Sequence, residues 1–249
     1  MTGWKWAAAR RRGTSHVKSG LPCQDAFRCV GSGRTGIVAV VCDGAGSAAY
    51  GGAGAALVSR TLSQLALRHL NVSSRVPDDE LIWDWIDACR DRIAHAAKRK
   101  LASPRDFATT LVCAIVLGEE TVLLLIGDGA AAVYLDGAWM VPSWPEHGEY
   151  ASTTYFLTDD PTPRLRIVRL GQPVTAIALM SDGLERLALD FTNKLPHGPF
   201  FAGIIRPIVE LTSQGWSYPL SCKLGQYLDG DAINARTDDD KTIVLAARS

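Results

Sequence analysis

An α+β fold, in which antiparallel sheets form layers with helices packed on them, is predicted by three features of the sequence. Short apolar runs follow one another through tight turns, most clearly over residues 108–142. Consecutive strand–turn–strand runs favour antiparallel sheets, because parallel strands need a long crossover between them. Two long helical patterns stand together between residues 47 and 100 instead of alternating with single strands. With 249 residues, 47% of them hydrophobic, the chain can bury a sizeable core in one domain.

The first half of the chain contains two strands and two helices. Residues 1–15 have no periodic pattern, so we predict an irregular segment there. Residues 26–30 and 36–42 read as strands joined by the turn-rich sequence GSGRTG. A helix is predicted over residues 47–70, whose first half consists of small residues suited to close packing on a sheet. Another is predicted from Pro77, which suits a first helical position, to residue 100.

The second half of the chain begins with four apolar runs that predict a β-meander, namely TTLVCAIVL, TVLLLIGD, AAAVYLD and AWMVP. Asp136-Gly137 is a favourable two-residue hairpin turn between the last two runs. Residues 142–163 contain four prolines and many polar groups, which indicates a long surface loop. We predict later strands at 164–170, 174–180 and 242–247, a short helix at 183–189, and helices at 199–213 and 219–229.

Composition limits the function classes. The 26 basic and 26 acidic side chains cancel, so no global basic field favours a nucleic-acid or membrane partner. The run ARRRG near the start is interpreted as a solvated N-terminal arm. Six cysteines without a CxxC pair indicate buried, reduced thiols. The chain has neither an apolar run of transmembrane length nor a signal-type h-region, and we expect a cytoplasmic protein.

Acidic residues stand at the ends of several strand-like runs. Asp43 ends the run 37–42 and is followed by glycines, Asp128 and Asp182 end two later runs, and three aspartates at 238–240 precede the last strand. Singly, these residues could cap helices or occupy turns. The stretch DGAGSAAYG also loosely resembles a dinucleotide-binding loop, although it lacks the GxGxxG spacing.

Together, these acids predict a metal site. Gathered carboxylates repel one another unless cations neutralise them. Because the ligands are oxygens only, hard cations such as Mg²⁺ or Mn²⁺ are expected. Two such ions lower the pKa of a water between them and stabilise the charge that develops on a phosphoryl group under attack.

Six stretches resemble, in order, the motifs of the metal-dependent PP2C (PPM-type) serine/threonine protein phosphatases: CQDAF, VVCDGAGS, FATTLV, IGDGAAAVY, LMSDGLERL and DDKTIVLAA. The resemblance runs from about residue 15 to 247 and is closest to a bacterial subgroup with a GxSH…CQDA opening. It implies an αββα sandwich of two antiparallel β-sheets flanked by helix pairs. It also implies one phosphatase domain over residues 1–249 and a dinuclear Mn²⁺ or Mg²⁺ centre.

The resemblance implies a role for each acid. Asp43 would bridge two metal ions, and the Gly44 carbonyl would bind one of them. Asp182 and Asp239 would bind the other, Asp239 being chosen among the three terminal acids because it stands three residues before Thr242. Asp25 would hold a metal-bound water, and Asp128 would contribute to a possible third ion. The expected catalytic residues are Asp25, Asp43, Asp182 and Asp239.

Two positions depart from the family pattern. Gln24 stands where a glutamate is usual, and Gly20 stands where an arginine commonly holds the substrate phosphate. We predict His16 and Lys18 as substrate-binding replacements, although His16 is equally well explained as a turn histidine on the surface.

The function implied by the resemblance is hydrolysis of phosphoserine and phosphothreonine by a metal-bridging hydroxide. No phosphoenzyme intermediate is expected, because no activated Cys or His nucleophile motif is present. The substrate would be a phosphoprotein, and a partner Ser/Thr kinase is expected. Two alternatives stay open: a catalytically weak module that binds a phosphoprotein or kinase, and a metal-dependent hydrolase of small phosphoesters.

Overall fold

The computed structural model describes residues 3–33, 35–146 and 154–248. Its strands are β1 Lys5–Arg11, β2 Ala26–Ser32, β3 Gly36–Cys42, β4 Leu111–Leu117, β5 Glu120–Ile126, β6 Ala130–Leu135, β7 Ala138–Met140, β8 Arg166–Leu170, β9 Ala176–Met180, β10 Leu189–Asp190, β11 Leu195–Pro196, β12 Gly215–Trp216 and β13 Lys241–Ala247. Its α-helices are α1 Thr14–Ser19, α2 Gly51–Val72, α3 Asp79–Lys100, α4 Glu185–Ala188, α5 Gly198–Val209, α6 Tyr218–Leu228 and α7 Asp231–Asn234, with 3₁₀ turns at Pro104–Phe107 and Asp182–Leu184.

Two sheets and two pairs of helices form four layers. Sheet I has the strand order β12-β1-β13-β9-β6-β7, and sheet II has the order β2-β3-β4-β5-β8. All neighbouring strands in these sheets are antiparallel except β1 and β12, which are parallel. Helices α2 and α3 pack on sheet II, and α5 and α6 pack on sheet I. The predicted α+β fold, an αββα sandwich, is therefore confirmed.

The core lies in three layers, and β3 contributes to two of them. Ile37, Ala39 and Val41 face the space between the sheets, whereas Val38 and Val40 face α2 and α3. Because both faces are covered, every position of this strand is apolar and buried. This arrangement explains the continuous apolar run that precedes Asp43.

The segment that we predicted to be irregular contains β1, which lies inside sheet I between β12 and β13. All seven residues of β1 pair with β13, from Lys5 opposite Ala247 to Arg11 opposite Lys241. The interpretation of ARRRG as a solvated arm was therefore also wrong. The strand sequence KWAAARR has weak intrinsic β-propensity, and its conformation depends on pairing with a strand more than 200 residues away.

The predicted meander is divided between the sheets. Strands β4 and β5 belong to sheet II, whereas β6 and β7 belong to sheet I, so the chain changes sheet over residues 127–129. A Cβ atom at Gly129 would lie 2.5 Å from Val112 Cγ2 and 3.1 Å from the Met180 carbonyl oxygen, which explains the glycine at this crossing. The Asp136-Gly137 hairpin turn is confirmed, with φ of 52° and 83° at the two positions.

The predicted surface loop 142–163 is described only in part, because residues 147–153 lie outside the described ranges. Near its end Leu157 is completely buried, and its N–H donates to the Thr109 carbonyl at 2.9 Å. This part of the prediction was wrong, since Leu157 packs into the core beneath α2 and α3.

The other predicted elements are present with shifted ends. Pro77 precedes the N-cap residue Asp78 of α3 instead of opening the helix. All six cysteines are free thiols, and Cys42, Cys89 and Cys113 are buried. None of the helices in the described ranges has both the length and the hydropathy needed to cross a lipid bilayer.

Candidate metal centre

The strand register brings the predicted acids to one end of the sandwich. In sheet II, Ala26 lies opposite Cys42, so Asp25 before β2 and Asp43 after β3 are neighbours. In sheet I, Met180 lies opposite both Ala130 and Ile243. Asp182, Asp128 and Asp239 therefore leave three adjacent strands at the same edge.

These strand ends surround a cavity of about 1110 Å³. Its acidic lining residues are Asp43, Asp128, Asp182, Glu185, Asp238 and Asp239. Its basic lining residues are His16, Arg186 and Arg236. Asp25 lies behind this wall and is only 1% exposed. Sequence reasoning missed Glu185, Arg186 and Arg236, although LERL directly follows the predicted Asp182 motif.

The clustered carboxyl groups strongly perturb one another. Burial raises the pKa of Asp43 well above its usual value, and the charges of Asp25 and Asp182 raise it further. Burial and the charge of Asp128 raise the pKa of Asp182 to about 7. The Asp43 and Asp182 carboxyl groups lie close enough to perturb each other's pKa. Without a cation, these carboxyl groups can remain buried together only if some of them stay protonated at neutral pH.

Asp43 is positioned through its backbone, which leaves its carboxyl group facing the cavity. Its carbonyl oxygen accepts hydrogen bonds from the Thr110 N–H and the Thr109 hydroxyl, both at 2.8 Å. Its N–H donates to the Thr110 hydroxyl at 3.1 Å. The FATTLV motif thus fixes the strand end. Asp43 does not cap a helix, because α2 begins only at Gly51.

Gly44 lies where the first turn of α2 approaches the end of β3. A Cβ atom at Gly44 would overlap the backbone of Gly51, so a larger residue would push the helix away. The Gly44 N–H donates to the Gln24 carbonyl at 3.3 Å. This close approach explains the glycine and places its backbone on the cavity wall.

Asp25 is held by a serine that the sequence did not single out for this role. Burial raises the pKa of Asp25 to about 6, while the Ser181 hydroxyl lowers it by donating to Asp25 Oδ2 at 2.8 Å. The Thr242 N–H donates to the same Ser181 hydroxyl at 3.0 Å. Ser181 occupies the N-cap position of the turn Asp182–Leu184 but makes no side-chain capping bond to it.

The three terminal acids have three different environments. Asp238 is exposed, and Asp239 lies on the cavity wall, where burial raises its pKa. Asp240 is 1% exposed and accepts hydrogen bonds from the Gly13 and Gln24 N–H groups, both at 2.6 Å. Asp240 thus joins the N-terminal segment to the start of β13. The geometry favours Asp239 over Asp240 as the acid that faces a metal ion.

Comparison with known proteins now identifies the family, since the family model described as protein phosphatase 2C matches residues 12–229. The chain belongs to the protein phosphatase 2C family. It is 34% identical over 248 residues to serine/threonine-protein phosphatase 3 of Escherichia coli (strain K12), covering 98% of both chains. The predicted family resemblance is therefore confirmed.

Solved structures of more distant proteins share the fold. The catalytic domain of the serine threonine protein phosphatase PstP, in complex with two manganese ions, is 18% identical with a TM-score of 0.65, over 100% of this chain and 99% of that one. PppA, described as a regulatory component of T6SS in Pseudomonas aeruginosa, is 18% identical with a TM-score of 0.67, over 99% and 98% of the two chains.

The side chains present fit the hard cations that this family uses. Asp25 Oδ1, Asp182 Oδ1 and Gln24 Oε1 are buried and accept no hydrogen bond within the described structure. Unsatisfied buried oxygens are unfavourable unless a donor or a cation completes them. Within the described ranges, however, no three His, Cys, Asp or Glu side chains already stand at coordination spacing. Metal binding would therefore require these carboxyl groups to move closer to one another.

The two predicted substrate-binding residues differ in position. His16 lines the cavity, its side chain is 14% exposed, and its Nδ1 lies 3.0 Å from Asp240 Oδ2 in a geometry that is not that of a hydrogen bond. Lys18 is exposed on α1 and is not among the residues that line the cavity. The structure therefore brings His16, but not Lys18, to the other predicted site residues.

Proposed function

We propose that this protein is a metal-dependent protein serine/threonine phosphatase that hydrolyses phosphoserine and phosphothreonine esters. The observation that carries the proposal is the convergence of Asp43, Asp182 and Asp239 on one cavity, with pKa values raised by burial and by neighbouring carboxylates. Family membership and the name of the Escherichia coli relative support it. The relative aligns with nearly the whole chain, which supports the same activity for this fold.

We assign the metal-binding role to Asp43, the Gly44 carbonyl, Asp182 and Asp239, with Asp128 at a third position. These are all oxygen ligands, which suit Mn²⁺ or Mg²⁺. When bound, two such ions would supply an activated water and neutralise the charge that develops on the phosphoryl group. A phosphate dianion would otherwise be repelled by the acidic lining of the cavity.

The remaining roles belong to the supporting residues. Asp25, which accepts a hydrogen bond from Ser181, would hold a water of the metal centre. Thr109 and Thr110 hold the Asp43 backbone, and Asp240 holds the N-terminal segment that carries His16. Because these groups are rigidly placed before substrate arrives, the enzyme reorganises little during the reaction.

A phosphopeptide assay tests the proposal. Phosphoserine and phosphothreonine peptides and p-nitrophenyl phosphate are hydrolysed only with Mn²⁺ or Mg²⁺, and Asp43→Asn and Asp182→Asn reduce turnover at least a hundredfold. Asp87→Asn is the matched control, because Asp87 is exposed on α3 and does not line the cavity. Trapping a covalent phosphoenzyme would rule out direct attack by water. High activity on metabolites with little on phosphopeptides would favour a hydrolase of small phosphoesters.

The absence of turnover with metal still bound would instead favour a catalytically weak binding module, which Gln24 and Gly20 motivate. We further propose a phosphoprotein substrate, a partner Ser/Thr kinase, a cytoplasmic location and a single domain over residues 1–249. Phosphopeptide mass spectrometry of a lysate treated with the Mn²⁺-loaded wild-type protein tests the first of these, and co-purification of a Ser/Thr kinase with that protein tests the second.

A further inference from the structure

A cationic side chain beside the metal centre would strengthen the binding of a phosphate monoester in this acidic cavity. At the position where the family commonly has an arginine, this chain has Gly20, which ends α1 in the left-handed conformation with φ of 73°. A glycine offers no charge, so the positive group has to come from elsewhere. The cationic side chains on the described wall of the cavity are His16, Arg186 and Arg236.

The two arginines differ in their surroundings. Burial raises the pKa of Glu185 to about 7 and the charge of Arg186 lowers it, so Arg186 lies beside a carboxyl group. Arg236 is exposed at the cavity and makes no ion pair or side-chain hydrogen bond with another described residue. The Arg236 guanidinium is therefore available to an incoming anion.

The backbone that carries Arg236 is firmly anchored. The N–H groups of Arg236 and Thr237 both donate to the Ile233 carbonyl, at 2.9 Å and 3.2 Å, which extends α7 by a turn. Helix α7 is tied to β13 by Lys241, a completely buried lysine whose ammonium donates to Asn234 Oδ1 at 2.8 Å. Fixing the backbone reduces the entropy lost when the side chain orders on a ligand.

We propose that Arg236 binds the phosphate group of the substrate, in place of the arginine that Gly20 lacks. The proposal rests on the proposed phosphatase function. Arg236 stands three residues before Asp239, which we assign to the metal centre, and both residues line the cavity. A guanidinium can donate two parallel hydrogen bonds to phosphate oxygens, whereas a lysine acts as a single point charge.

The test compares Arg236→Ala and Arg236→Lys with Arg60→Ala, a control arginine that is exposed on α2 away from the cavity. For Arg236→Ala we expect KM for a phosphopeptide to rise about 10-fold to 100-fold, the usual effect of losing hydrogen bonds to a charged group. The affinity of the Mn²⁺-loaded protein for orthophosphate should fall by the same factor. Arg236→Lys should recover part of both losses, and Arg60→Ala should change neither.

Titration with Mn²⁺ alone separates phosphate binding from support of the metal site. Removing a cation next to carboxylates should leave Mn²⁺ affinity unchanged or make it tighter. If Mn²⁺ affinity weakens by the same factor as orthophosphate affinity, Arg236 supports the metal site and the proposal is wrong. Unchanged KM and orthophosphate affinity in Arg236→Ala would also overturn it. If the wild-type protein hydrolyses no phosphopeptide, the proposed function fails, but the orthophosphate titrations still decide the role of Arg236.

Discussion

Replacing Asp240 with asparagine should destabilise the protein far more than the same change at its exposed neighbour Asp238. The Asp240 carboxylate accepts two buried backbone hydrogen bonds, from Gly13 and Gln24, both at 2.6 Å. An asparagine can keep one of them through its oxygen, but its NH₂ group then faces the other N–H. The unsatisfied buried donor costs about 1–3 kcal/mol, and the remaining hydrogen bond weakens by about 1 kcal/mol because its acceptor is no longer charged.

The expected loss for Asp240→Asn is therefore about 2–4 kcal/mol in the free energy of unfolding. For a chain of this size, about 2–4 °C of Tm is lost per kcal/mol, so Tm should fall by roughly 4–16 °C. Urea denaturation followed by circular dichroism measures the change. Asp238→Asn should stay within about 0.5 kcal/mol of wild type, as surface substitutions usually do. Equal stabilities of the two variants would refute the anchoring role that we assign to Asp240.

Three further outcomes are expected from the carboxylate cluster. In the folded metal-free protein the pKa values of Asp25 and Asp182 are raised to about 6 and about 7, so the folded state binds protons that the unfolded chain releases. The urea midpoint measured in EDTA should therefore fall between pH 5 and pH 8. A rise of the midpoint over this range would contradict the raised pKa values. Mn²⁺ at a hundred times its Kd should stabilise the fold by about 2.7 kcal/mol, seen as a higher Tm that Asp43→Asn does not show. Ser181→Ala removes a hydrogen-bond donor to the Asp25 carboxylate but leaves Asp43 unchanged, so Mn²⁺ affinity measured by calorimetry should weaken about tenfold. Unchanged affinity would exclude this positioning role of Ser181.

The acids that face the cavity could be predicted because each has a local signal. Asp43 follows a fully apolar strand and precedes glycines, and Asp239 has a fixed spacing from Thr242. Each pattern involves only residues that are close in the sequence, so it can be recognised without knowing the contacts of the rest of the chain. Whether these acids converge depends on the strand register. The sequence implied that register only through the resemblance of its ordered motifs to the family.

The features that were missed depend on contacts between distant segments. Strand β1 forms because β13 pairs with it, not because KWAAARR favours a strand. Asp240 is an anchor only because it contacts Gly13 and Gln24, and the two residues before it in the sequence are also aspartates. The division of the meander at Gly129 likewise follows from the pairing of β6 with β9. No local turn signal distinguishes this arrangement from a continuous meander in one sheet.

The most direct test of the metal centre is the anomalous diffraction of a crystal soaked in Mn²⁺. We predict two manganese peaks in the cavity, bound by Asp43, the Gly44 carbonyl, Asp182 and Asp239. Manganese bound elsewhere, or no peak within reach of these carboxylates, would contradict the account.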